Sequence, residues 1–228
     1  RIMSYNQIGV DLKEFFATNK KFFLNERDLQ IELILFLRGK KGYVVHPEYH
    51  IPVSAIPGYE WENDKVLSID LVVEDSQCGY VPIELKYKHK EIKIALDRFG
   101  ENLSGLVTNQ AAQNLGRYSF WKDVRRVEHL IDRFSQIEDG GYVVFVTDDP
   151  TYKINTGEKC NYHMFAMNEG RSVVGPLKLD WVTPNPKFPG FNIVKHYYIK
   201  EYINWEVPVG LSCSGITYYG LIQEVRKC

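Results

Sequence analysis

The chain has 228 residues, 44% hydrophobic and 14% aromatic, enough apolar material for one elaborated domain with a substantial core. No apolar run approaches a membrane span, the densest stretch from Ile31 to Leu37 being broken by Glu32, and no signal-peptide pattern opens the chain, so an intracellular, cytoplasmic protein is expected. A formal charge of -1 excludes a globally basic nucleic-acid binder but leaves room for a local basic surface; Cys78, Cys160, Cys213 and Cys228 lack the spacing of a zinc site or a disulfide scaffold.

The first predicted element is a helix over Asn25 to Arg38, with Asn25 as N-cap, Glu26 and Asp28 at its positive end, Arg38 at its negative end, and Gly39 and Gly42 closing it. Strands are expected over Gly42 to Pro52, Leu67 to Glu74 and Tyr80 to Tyr87, the last two joined by a turn at Asp75 to Gly79. After a polar stretch containing Lys88 to Lys93, apolar residues from Ala111 to Phe134 recur every three to four positions, which predicts one long helix or two joined near Gly116. Tyr142 to Thr147 reads as a buried strand, and the sequence of helix, strands, helix and strand is an α/β order. From about Asp148 the prolines, glycines and aromatics predict short strands and loops. Residues 1–150 are thus expected to form the α/β core and 151–228 a β-rich extension packed on it.

The second and third strands carry the chemistry. Opposite residues of an antiparallel pair have a constant sum of numbers, so a turn centred on Gln77 sets Asp70 against Glu84 and Ser68 against Lys86. Alternation then places these four on one face and Ile69, Leu71, Val73, Ile83, Leu85 and Tyr87 on the other. Facing carboxylates, with Cβ atoms roughly 4.5–5.5 Å apart, repel unless a cation, a shared proton or a basic group intervenes. A Mg²⁺ ion, which favours oxygen ligands and keeps several waters, resolves that repulsion. Lys86, on the same face, is placed to orient or deprotonate a water and to counter charge on a phosphate. The alternative is a solvated surface hairpin, and Glu-Leu-Lys alone distinguishes nothing. Glu32 is the one charge between Ile31 and Leu37; it is either half of a buried salt bridge or an accessory acid that holds a metal-bound water or orients Lys86.

A helix bearing Glu32, then Ser68-Ile69-Asp70, then Ile83-Glu84-Leu85-Lys86 resembles the motifs of the PD-(D/E)XK, restriction-endonuclease-like nuclease superfamily, with Ile69 where the family name has proline. The resemblance implies a restriction-endonuclease-like core with a mixed central sheet flanked by helices. It implies Asp70, Glu84 and the Leu85 carbonyl as ligands of Mg²⁺, with Mn²⁺ as substitute, Lys86 as the catalytic lysine and Glu32 as the accessory acid. The helix after the third motif often adds a polar or basic residue in such folds, which directs attention to Gln110, Gln113, Arg117 and Tyr118. The segments Asn109 to Gln113, Arg117-Tyr118, Lys122 to Val124 and Gly141 to Pro150 are similar to a group of small prokaryotic proteins of the superfamily, and roughly the first two-thirds of the chain is covered. The activity implied is metal-dependent hydrolysis of DNA, in a defence or restriction setting, and a homodimer would present two sites to a duplex.

A basic run of Lys86, Lys88, His89, Lys90, Lys93 and Arg98 suits phosphate binding, whereas Arg125 and Arg126 read equally well as a solvated helix face. His46 and His50 share a strand face but lack a third zinc ligand, and the C-terminal aromatics read more readily as core than as a base-stacking platform. Two competing functions remain: a nucleic-acid-binding or assembly protein that has kept such a fold without turnover, and a phosphodiesterase acting on RNA or a small nucleotide.

Overall fold

The computed structural model describes residues 5–61, 64–75, 79–107, 112–208 and 215–227. A helix that the sequence reading did not include, Tyr5–Thr18 (α1), comes first; its buried Tyr5, Ile8, Leu12, Phe15 and Phe16 fall at helical spacing. In the second helix, Glu26–Lys41 (α2), Asn25 Oδ1 accepts the Asp28 amide at 2.9 Å, and Gly42, with φ 73°, closes the far end.

Strands follow at Val44–Pro52 (β1), Val66–Asp75 (β2) and Gly79–Lys88 (β3). Where a polar connection was expected, Ile92–Arg98 (β4) and Glu101–Val107 (β5) form a separate two-stranded sheet, turning at Phe99 and Gly100, both with positive φ. The helix Gln113–Arg133 (α3) is continuous, with Gly116 in its first turn, where any side chain would collide with the Tyr152 hydroxyl. Next come Gly140–Thr147 (β6), the short strands Ser172–Val173 (β7), Leu177–Leu179 (β8), Phe191–Ile193 (β9) and Tyr197–Tyr198 (β10), and then Ile203–Pro208 (β11) and Gly215–Arg226 (β12).

The central sheet is mixed and six-stranded, in the order β1-β2-β3-β6-β12-β11, with β3 and β6 parallel and the other pairs antiparallel. Helices α1 and α2 cover one face, where Leu12, Phe16, Leu33 and Leu37 meet Leu71, Ile83, Leu85, Tyr87, Val144 and Val146. Helix α3 and much of residues 150–202 cover the other, where Trp121, Val124, Phe165, Trp181, Phe191 and Tyr202 meet Ile69, Val143 and Phe145. The molecule is therefore α/β, and β6 is buried along its whole length because both faces are covered. The predicted extension is partly inside this sheet, since β12 pairs with β6 along eight residues. Most of its aromatics are core, as expected: Trp181, Tyr197, Tyr202 and Trp205 are all at most 6% exposed, whereas Tyr198 is exposed. No helix among the described residues is long and apolar enough to cross a membrane. The centre of the predicted turn (76–78), Cys78, Cys213 and Cys228 lie outside the described residues.

Candidate active site

The expected register is present but stops short of the two acids. Strands β2 and β3 pair from Asp75 opposite Gly79 to Leu71 opposite Ile83, and one step further, where Asp70 and Glu84 stand, they part. The cause lies in β1 and α2. Glu48, between the pairs Pro47 to Leu71 and Tyr49 to Ile69, has φ 48°, which breaks the alternation of a strand. Val45, Leu71 and Val73 accordingly face the α1 and α2 core, whereas Ile51, Leu67 and Ile69 face α3. Ile69 is thus on the opposite side from the one alternation predicts, and Ser68 turns to Glu48 Oε2 at 3.0 Å instead of to Lys86. Gln30 pins the break by donating to Glu48 Oε1 at 3.0 Å and to the Asp70 carbonyl at 2.8 Å.

Carboxylates fill the gap this leaves along β3. The Leu85 amide donates to Asp70 Oδ2 at 2.7 Å, the Tyr87 amide to Glu26 Oε2 at 2.8 Å, and the Asp70 amide to Glu84 Oε2 at 3.3 Å. Asp70 and Glu84 are therefore clasped through each other's strand, with one oxygen of each committed and the other, Asp70 Oδ1 and Glu84 Oε1, outside these bonds. In a strand the N–H and C=O of one residue point to the same side, so the Leu85 carbonyl also faces the gap.

Helix α3 closes the site from above with charges three residues apart, on the face that also carries Val124 and Val127. Arg126 Nε lies 3.2 Å from Glu84 Oε1, its Nη1 donates to Asp123 Oδ1 at 3.2 Å, and its Nη2 donates to the Ser68 carbonyl. Lys86 Nζ sits between the two helices, 3.4 Å from Asp123 Oδ2 and 3.7 Å from Glu26 Oε1. Four carboxylates and two cations are thus linked in one cluster, the carboxylates outnumbering the cations by two. Glu84 is 1% exposed, yet Glu84 Oε1, Asp123 Oδ2 and Arg126 Nε are buried without a hydrogen-bond partner; their ion-pair distances lack hydrogen-bond geometry.

Burial pushes the Glu84 carboxyl well above its ordinary pKa; the Arg126 guanidinium pulls it back, while Asp123 and Asp70 add to the rise. Burial likewise raises Asp70 to about 6 against the opposing bond from the Leu85 amide. For Lys86, burial favours the neutral amine, but Asp123, Glu26, Asp70 and Glu84 outweigh it and the pKa is raised. Lys88 and Lys122 flank this cluster; burial depresses both, with a further push from Lys86.

Asp70, Glu84 and Lys86 are therefore brought together, with the Leu85 carbonyl facing them and Lys88 beside them. Glu32 is not with them, which corrects its expected role: it lies on a different side of α2 and pairs with Lys21 Nζ at 2.6 Å, and its neighbours Ile31 and Leu35 are exposed. The residues α2 does supply are Glu26, which reaches β3, and Gln30, one turn on, which reaches β2. Gln113 donates to Asp149 Oδ2 and Thr151 Oγ1, both at 2.7 Å, and the buried Arg117 donates to the carbonyls of Thr151 and Tyr152, so these two hold the segment after β6 to α3. Lys90 joins that second group through Asp149 at 3.2 Å, and Lys93 is exposed on β4. Gln110 lies outside the described residues, and Tyr118 is in the aromatic core. Asp123, Arg126 and Glu26 were absent from the predicted site. The readable signal was a pair of opposite charges three residues apart, interleaved with the buried Val124 and Val127, and of the two readings left open for Arg126 the solvated face is not the one the structure shows.

The donors fit a hard cation. Asp70, Glu84 and the Leu85 carbonyl offer oxygens only, and the buried, unpartnered Glu84 Oε1 is the atom such an ion would satisfy. Among the described residues no group of three or more His, Cys, Asp or Glu side chains is arranged to hold a metal, so any ion here would keep water as ligand. Comparison of the chain with protein-family models, with curated proteins and with solved structures finds no match.

Proposed function

We propose that this chain is a divalent-metal-dependent phosphodiesterase that hydrolyses DNA, built on a restriction-endonuclease-like core. The observation that carries the reading is the parting of β2 and β3 where Asp70, Glu84 and Lys86 converge, with a buried carboxylate oxygen that no hydrogen bond satisfies. Asp70, Glu84 and the Leu85 carbonyl would hold Mg²⁺, or Mn²⁺ in its place. The bound ion supplies charge that polarises a phosphate oxygen and acidifies water.

The chain's own residues do the rest. The clasp between Asp70 and the Leu85 amide fixes the acid's orientation before any ligand arrives. Lys86, held protonated by Asp123 and Glu26, does not take a proton from water at neutral pH; its part is to neutralise charge growing on the phosphate. Lys88 and Lys122 add a basic rim along which a phosphate backbone can lie.

One observation favours a second reading, nucleic-acid binding without turnover: Arg126 Nε stands 3.2 Å from Glu84 Oε1, an arrangement in which an arginine supplies the counter-charge to the acid. A single assay separates the two. The full chain is incubated with duplex DNA, single-stranded DNA and RNA, with Mg²⁺, Mn²⁺ or EDTA. Metal-dependent cleavage of DNA that disappears in Glu84→Gln supports the proposal, and cleavage of RNA alone changes its substrate. Binding without cleavage under every condition leaves the second reading.

A further inference from the structure

Arg126 enters the cluster from α3 with three partners of unequal quality. Nη1 donates to Asp123 Oδ1 and Nη2 to the Ser68 carbonyl, so both ends of the guanidinium fork are anchored by hydrogen bonds. Nε stands 3.2 Å from Glu84 Oε1, but both atoms are buried and neither has a hydrogen-bond partner. The guanidinium therefore touches Glu84 through charge alone, while Asp123 and Ser68 hold it in place. A different cation can take over the Glu84 contact without costing Arg126 either of its hydrogen bonds.

The excess of carboxylates in the cluster says which kind of cation. Asp70, Glu84, Asp123 and Glu26 outnumber Lys86 and Arg126 by two, so a divalent ion would neutralise the group without removing either resident cation. The same arithmetic makes the arginine a competitor, because Glu84 Oε1 is both its contact and the carboxylate oxygen that no hydrogen bond engages.

We propose that Arg126 is an internal counter-ion that competes with a divalent cation for Glu84 and thereby sets the metal affinity of the site. This rests on the metal-dependent reading given above. Before loading, Arg126 keeps four clustered carboxylates from opening the site by mutual repulsion. On loading, its hold on Glu84 is lost while its bonds to Asp123 and Ser68 remain, and the guanidinium gains affinity for an anionic phosphate. By linkage, phosphate bound to the arginine must then strengthen metal binding to the same extent.

The test measures Mn²⁺ binding to the full chain by calorimetry and by the electron paramagnetic resonance of the free ion, with no substrate and no turnover. Arg126→Met should bind Mn²⁺ more tightly than the wild type by about ten- to a hundredfold, and Arg126→Lys by less. Lys21→Met, which removes an equal charge from the solvent-exposed surface beside Glu32, should change affinity by no more than about threefold. Mn²⁺ should also raise the Tm of Arg126→Met more than that of the wild type. Should Arg126→Met fail to fold, Arg126→Lys carries the comparison, because it keeps the charge but cannot fork between Asp123 and Ser68. Wild-type affinity in both arginine variants, while Glu84→Gln abolishes binding, overturns the competition and leaves the metal site standing. Equal gains in Arg126→Met and Lys21→Met also overturn it, since they reduce the effect to general charge. If neither wild type nor variants bind Mn²⁺, the metal site falls and the competition with it.

Discussion

Two buried glutamates, each beside an arginine of α3, show how differently the same ingredients can be used. Glu128 is fully buried next to Arg125 Nη1 at 3.0 Å and accepts from the amides of Val194 and Lys195 and from the Tyr197 hydroxyl at 2.8 Å. Its charge is spent on stapling residues 194–197 to α3. Glu84 is as deeply buried beside Arg126, yet it accepts a single backbone bond at 3.3 Å and leaves Oε1 unpartnered. Burial of a carboxylate therefore does not by itself mark a functional group; what separates Glu84 from Glu128 is its unmet hydrogen-bonding capacity. Arg125 points away from the site, to Glu60 and Glu128, so even adjacent positions on one helix serve opposite ends.

The sharpest way to break this comparison is to remove each acid in turn. Glu84→Gln and Asp70→Ala should abolish metal-dependent cleavage while the protein still unfolds cooperatively, as followed by gel assay and circular dichroism; wild-type turnover in either would take that acid out of the site. Lys86→Ala should lower kcat on the order of 10²- to 10³-fold, the size expected for losing a charge that meets the transition state. Its pH profile should show no new basic limb, because the lysine works protonated. Glu128→Ala should do the reverse of Glu84→Gln, costing about 3–5 kcal/mol of unfolding free energy in urea while the residual folded protein keeps its metal affinity.

A smaller effect is a pH dependence. Asp70 is raised from 3.8 to about 6 by burial, so the folded state binds its proton more tightly than the unfolded chain does. The stability this contributes is complete below about pH 4 and is lost as pH rises through about 6. Without metal, Tm should therefore decline over that window, and Asp70→Asn should flatten the decline; an unchanged slope would place the proton elsewhere. Metal binding should follow the opposite course and weaken below about pH 6, as Asp70 takes up its proton. The smallest effect belongs to Glu32→Gln, which should change neither turnover nor stability by more than about 0.5 kcal/mol, since Glu32 only pairs with Lys21 at the surface.

What the sequence determined on its own was local. Asn25 and Gly42 bound α2, alternation along β3 places Ile83, Leu85 and Tyr87 on one side and Glu84 and Lys86 on the other, and the constant-sum register of β2 and β3 follows from the turn. Each depends on residues within a few positions of one another or across one hairpin, where spacing is geometry. The β4–β5 hairpin escaped because Phe99-Gly100 lacks the usual Asn-Gly or Asp-Gly turn signal. Helix periodicity also misjudged Glu32, because a wheel shows which residues share a face but not which face meets the sheet.

Only the tertiary structure decided what the two acids face. The left-handed residue Glu48 parts the strands at Asp70, Gln30 of α2 holds them parted, and Asp123 and Arg126 arrive from a helix about forty residues further along. These are long-range packing decisions, made when two layers of helix close on one sheet. No short window of the chain encodes them, because their energies come from burial and charge pairing between segments that are neighbours only in the folded molecule.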